Sequence, residues 1–147
     1  LATVVEKRLG KLGDTYKNLF QTDALELLCE KSGGVLRDLV RLARTAGEVA
    51  LRKKMNHVNL AVAQDAIRED RKDYTIADYQ FPELDTVHRT GQLTTNSFDS
   101  PNGKIVICDE LLHYKLILGY QDPEQGRWFD INPILLDDLE RWRAANT

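Results

Sequence analysis

A mainly α-helical chain with one small β-hairpin near its end is what this sequence predicts, and three observations carry that expectation. Apolar residues return at three- and four-residue spacing through several stretches of the first half. Threonine, asparagine, proline and paired glycines stand where such stretches would begin and stop. Late in the chain two apolar runs, 116–121 and 127–131, flank Asp122-Pro123-Glu124-Gln125-Gly126, a turn composition.

In chain order, Leu1, Val4, Val5, Leu9, Leu12, Tyr16, Leu19 and Phe20 keep helical spacing. They predict a helix over about 3–10 and a looser one through Phe20, with Gly10 and Gly13 weakening the middle. Thr22 is the expected N-cap of a short helix driven by Leu25, Leu27, Leu28 and Cys29 and stopped by Gly33 and Gly34. A long helix over 35–54 follows, with Val35, Leu36, Leu39, Val40, Leu42, Ala43, Ala46 and Ala50 on its apolar side and Arg52-Lys53-Lys54 at its end, where cations suit the dipole. Asn59 is the expected cap of the next helix, lined by Leu60, Ala63, Ala66 and Ile67. Its mixed-sign run 68–73 reads as a solvated face.

Further on, 78–89 reads as one helix around Pro82 with Leu84, Val87 and His88 as its apolar side, ended by Gly91. A polar loop occupies 92–103. Periodicity leaves 104–107 open between a strand and the first turn of a helix through Tyr114. After the hairpin, Pro133 opens a last helix carrying Ile134, Leu135, Leu136, Leu139 and Trp142.

The chain of 147 residues is 42% hydrophobic and 29% charged, an ordinary globular balance. No apolar run approaches the ~18 residues of a membrane span, and no signal-peptide pattern is present. The start at Leu1 suggests a piece of a larger protein. Cys29 and Cys108 make no disulfide framework and read as reduced residues, which implies a cytoplasmic setting. Residues 1–74 hold 14 Lys and Arg against 11 Asp and Glu, whereas 75–147 hold 6 against 12. The sign changes where the first helical pattern ends. The expected division is therefore a helical domain over 1–74 and a second domain over 75–147.

The segment Ser32-Gly33-Gly34-Val35-Leu36-Arg37-Asp38 is the most informative. Arg37 falls on the first turn of the long helix, where the dipole disfavours a cation. An Arg there can share an anion with the free N–H groups of the helix start, or it can make a plain surface ion pair. Gly34-Val35-Leu36-Arg37 opening an apolar helix resembles the sensor-2 segment of AAA+ ATPases, and the order of elements over about 22–72 resembles their helical lid. That resemblance implies that Arg37, Gly33 and Gly34 contribute to binding ATP with Mg2+, held mainly by a P-loop core N-terminal to this chain. The chain has no Walker A motif of its own, so alone it is expected neither to bind nor to hydrolyse ATP.

Helix, loop, helix, hairpin and closing helix over 78–145 resembles a winged-helix domain. Lid followed by winged helix resembles the C-terminal half of several AAA+ and STAND-type ATPases, including origin initiators. Unlike DNA-binding winged helices, the corresponding recognition helix and wing carry Asp109, Glu110, Asp122 and Glu124 beside His113 and Lys115. A protein partner or another subunit is thus favoured over DNA. Contact candidates are Arg41 and Arg44, which share a face with Arg37, together with His113 and Lys115. The competing reading is a DNA-binding or adaptor module with no nucleotide role. No hydrolase motif occurs, and the three histidines have no metal-ligand spacing.

Overall fold

The computed structural model describes residues 19–93, 104–124 and 126–146, with the backbone alone of 104–106. The protein is mainly helical, with six α-helices among the described residues and one two-stranded antiparallel hairpin near the C-terminus. The chain divides into two compact units between Asp73 and Tyr74.

In the first unit, the helices expected over 3–18 lie outside the described residues. Leu19 and Phe20 are not helical. Phe20 bridges Val58 in parallel, with the Val58 N–H on the Leu19 carbonyl and the Gln21 N–H on the Val58 carbonyl. This tether holds the chain extended through Gln21, so Gln21 rather than Thr22 is the N-cap of α1 (Thr22–Lys31). Thr22 already lies inside the helix, and in the first turn Asp23 Oδ1 accepts the Ala24 N–H. Beyond Ser32, Gly33 and Gly34 take φ of 61° and 81°, left-handed values that end α1 and that side chains resist.

α2 (Leu36–Arg52) buries Leu39, Leu42, Ala46, Val49 and Ala50. Val40, expected on that face, is 59% exposed, because it is rotated about 100° from Leu39. The helix also ends earlier than expected: Lys53 is its C-cap and Lys54 turns left-handed. Asn59 caps α3 (Leu60–Arg71) as its sequence position predicts, accepting the Val62 N–H at 2.9 Å. Val62, Ala63 and Ala66 pack inward.

In the second unit a 3-10 turn (Asp78–Gln80) runs into α4 (Phe81–Thr90), which Gly91 closes at φ 70°. The open question at 104–107 resolves as helix: α5 spans Lys104–His113. β1 (Ile117–Asp122) pairs with β2 (Gly126–Ile131) in a register that sets Ile117 against Ile131 and Tyr120 against Trp128. A 3-10 turn (Pro133–Leu135) precedes α6 (Leu136–Ala145), and Asn132 Oδ1 accepts the Ile134 N–H at its start. Leu84, Val87, Leu111, Leu116, Ile131, Leu135 and Leu139 form the core. His88 is no part of that apolar side. It is half-buried, with Nδ1 2.7 Å from Asp130 Oδ1. Of the two tryptophans, Trp142 stacks on Phe81 between α6 and α4, while Trp128 stacks on Tyr120 across the hairpin. No helix among the described residues is long and apolar enough to cross a membrane.

Candidate functional site

The turn at Gly33-Gly34 sets the direction in which α2 starts. Val35 donates its N–H to the Ser32 carbonyl and is the extended N-cap of the helix. Ser32 itself is buried, with its hydroxyl on the Cys29 carbonyl at 2.7 Å. From this fixed turn Arg37 projects exposed. Among the described residues its side chain makes no hydrogen bond and no ion pair.

The other arginines of α2 behave differently. Arg41 Nη1 lies 2.6 Å from Asp70 Oδ1 on α3, with Asp38 at 3.5 Å on the other side. Arg44 Nε meets Glu48 at 2.9 Å, and Arg52 pairs with Glu69. The face shared by Arg37, Arg41 and Arg44 in sequence is therefore not a continuous stripe of unpaired cations.

Asp38 and Asp70 were not singled out by sequence reasoning as buried groups, yet they are only 6% and 5% exposed. Asp70 departs from the solvated run in which its sequence placed it. Burial pushes its carboxyl above the usual carboxylate range, and the Arg41 guanidinium opposes that shift. One oxygen, Oδ2, has no hydrogen-bond partner among the described residues. The available signal was positional. Asp38 is one turn before Leu42 and Asp70 one turn after Ala66, each on the line of its helix's buried residues.

In the second unit, Glu110 does not simply face solvent. Its Oε2 accepts from the Tyr79 hydroxyl at 2.8 Å and from Gln80 Nε2 at 3.0 Å, tying α5 to the 3-10 turn. That bond holds the Tyr79 phenol above its ordinary range. His113 is exposed with its ring edge-on to Tyr114 at 5.0 Å. Lys115 lies beyond α5 in a left-handed turn, where its carbonyl accepts from Asn132 Nδ2 at 3.1 Å. At the hairpin tip Asp122 Oδ1 accepts the Glu124 N–H, so one of the two acids there shapes the turn.

Two open grooves lie in the first unit. One, of ≈ 230 Å³, is apolar and bounded by Leu19, Phe20, Leu51, Met55 and Val58. The other, of ≈ 300 Å³, lies among Arg52, Lys53, Asp65, Arg68, Glu69 and Lys72. Neither is lined by Arg37. Among the described residues no group of three or more His, Cys, Asp or Glu side chains is arranged to hold a metal ion. Comparison with known proteins yields no matching family model, no matching curated protein and no matching solved structure.

Proposed function

We propose that this chain is the C-terminal part of an AAA+-type ATPase: a lid unit that lends Arg37 to ATP bound with Mg2+ on a P-loop core outside the chain, joined to a winged-helix-like unit that makes protein contacts. The observation that supports it is the contrast along α2. Arg41, Arg44 and Arg52 each meet a carboxylate, whereas Arg37, on the turn built by Gly33 and Gly34, is exposed and free of partners among the described residues. A guanidinium held at a helix start suits one phosphate group. It does not make a whole nucleotide site, so the core would hold the nucleotide and Mg2+, and Arg37 would add charge to a terminal phosphate.

The test is ATP turnover by the full-length polypeptide. Arg37→Ala is expected to lower turnover by about 100- to 1,000-fold, the scale of removing one positioned donor, with the melting temperature unmoved. Unchanged turnover would remove the nucleotide role and leave the adaptor reading. This chain alone is expected to show no ATP binding by calorimetric titration.

A further inference from the structure

We infer that the outer edge of β1 takes up an extended polypeptide segment as a third strand, with an acidic residue of that segment beside Gly119. This deepens the protein-contact half of the proposed function and rests on it, but it does not depend on Arg37. The hydrogen-bond parity of the hairpin defines the edge. Asn132 donates its N–H to the Leu116 carbonyl, so in this register the pairs Leu118–Asp130 and Tyr120–Trp128 bond across the hairpin. Ile117, Gly119 and Gln121 then turn their N–H and C=O groups outward. β2 keeps the same parity on its own far side, where the Phe129 N–H meets the Gly91 carbonyl at 2.9 Å. β2 thus has a neighbour on each side. Among the described residues, the outward groups of Ile117, Gly119 and Gln121 make no hydrogen bond. A row of unpaired backbone groups is a template for another strand.

Gly119 leaves the middle of that edge bare. It is exposed, and it has no side chain to cover the groups beside it. The Phe129 ring of the paired strand leans over it instead, with Cε1 3.2 Å from where a Cβ would stand. Arg127 Nη2 lies 3.8 Å from the same point. The guanidinium sits 5.0 Å from the Phe129 ring centroid, a cation–π contact that holds it in place. Arg127 is exposed and, among the described residues, has no carboxylate partner.

Charge selects the occupant. Side chains alternate between the two faces of a strand, so Ile117, Gly119 and Gln121 share one face with Arg127, Phe129 and Ile131. Arg127 carries the one charge among these; Asp122 and Asp130 belong to the opposite face. A residue of an added strand directly beside Gly119 stands on the Arg127 face, about 5.5 Å away between Cα atoms. A carboxylate there crosses the bare glycine to reach the guanidinium, whose fork it matches. A second copy of this chain is a poorer occupant. Pairing β1 with β1 about Gly119 brings two Arg127 guanidiniums to one face over adjacent glycines, and like charges so placed repel. The acidic excess of residues 75–147 gives such a segment no long-range attraction. Recognition therefore rests on backbone bonds and on Arg127 at contact range, where salt screens least.

The experiment follows the amide signals of this chain by NMR at physiological salt, during titration with a capped peptide of Val-Glu-Val centre and with its Val-Lys-Val counterpart. Saturable shifts are expected with the first and far weaker binding of the second. Near saturation, amide exchange should slow at Gly119 and Gln121, while Leu118 and Tyr120, already bonded to β2, should change little. Arg127→Gln should weaken binding about tenfold, a difference of about 1.4 kcal/mol. Gln121→Pro should abolish it by removing an outward N–H. Both side chains are exposed, and the remaining backbone signals show whether each variant keeps its fold. Equal affinity for the two peptides, indifference to Arg127→Gln, or no saturable binding would overturn the assignment of this edge while leaving protein contacts elsewhere open. Slowed exchange of the same amides on concentrating the peptide-free chain would overturn it too, by making a second copy the occupant. Duplex DNA bound at this salt through Arg127 would overturn the protein-contact reading as well.

Discussion

Arg41 and Asp70, 29 positions apart, meet at 2.6 Å and tie the first half of α2 to the end of α3. Asp38 shares the same guanidinium, so two nearly buried carboxylates lean on one cation. The brace lies one helical turn from Arg37, so it fixes the part of α2 from which this exposed guanidinium projects.

This brace makes a pH prediction with an unusual sign. Because the folded-state pKa of Asp70 is raised, the folded protein takes up this proton at higher pH than the unfolded chain does. The unfolded state then binds fewer protons in the window just above the ordinary carboxylate value, and stability from this group falls as pH rises through it. Asp70→Asn removes that titration. Acidification from neutral pH into the window should therefore shift the stability difference in favour of the wild type. Chemical denaturation of both proteins across that range is the measurement, and a difference that is flat or moves the other way would refute the assignment.

The glycines give a paired test. Gly34 has φ of 81°, so Gly34→Ala should cost about 1 kcal/mol from left-handed strain. Gly47, in the middle of α2, has no atom of the described residues within 4 Å of where a Cβ would go. Gly47→Ala should stabilise by about 0.5–1 kcal/mol through lower unfolded-state entropy. Denaturant midpoints should move in opposite directions; a common direction would contradict the backbone geometry.

In the second unit Trp142 stacks on Phe81 with centroids 5.6 Å apart, and Arg143 Nε reaches Asp85 Oδ1 at 2.6 Å. Both contacts fasten α6 to α4. Trp142→Ala should cost about 2 kcal/mol, less than a fully buried tryptophan because the ring is half-buried. Arg143→Ala should cost less than about 1 kcal/mol, since Arg89 still neutralises Asp85 and the pair is partly hydrated. Equal losses in thermal melts would mean that charge rather than stacking fastens the last helix.

Much of this arrangement was legible from local chemistry. Left-handed glycines, the Asn59 cap and the Pro–Gly hairpin turn are decided within a few residues, and sequence pattern finds them. What it missed depends on partners distant in the chain. Thr22 lost its capping position because Gln21 is held extended by Val58, and His88 left the apolar side because Asp130 faces it. Asp70 looked solvated because its neighbours Arg68, Lys72 and Asp73 are exposed, whereas its own angular position points inward at Arg41. The ambiguity at 104–107 had the same origin, since a short apolar run fits a strand or a helix equally until its packing is known.

The same partners bear on nucleic acid. In sequence, Arg37, Arg41 and Arg44 suggest a cationic stripe about three turns long on α2. In the folded unit Arg41 is held by Asp70 and Arg44 by Glu48, so the face has far less uncompensated charge than its composition implies. α5 supplies little more: Asp109 is exposed, Glu110 is bonded to Tyr79 and Gln80, and Lys115 lies beyond the helix. Duplex affinity depends on releasing counterions from several phosphates at once, and what remains here can neutralise few of them. At about 0.15 M salt, where screening acts within about 8 Å, this chain should show no measurable duplex binding. Any binding at lower salt should be weak and should fall steeply as salt is added. Replacing Asp70 and Glu48 together by Asn and Gln should strengthen that low-salt binding by releasing Arg41 and Arg44. A gel-shift titration with sub-micromolar affinity at physiological salt, lost on substituting residues 109–115, would instead make α5 a DNA-reading helix.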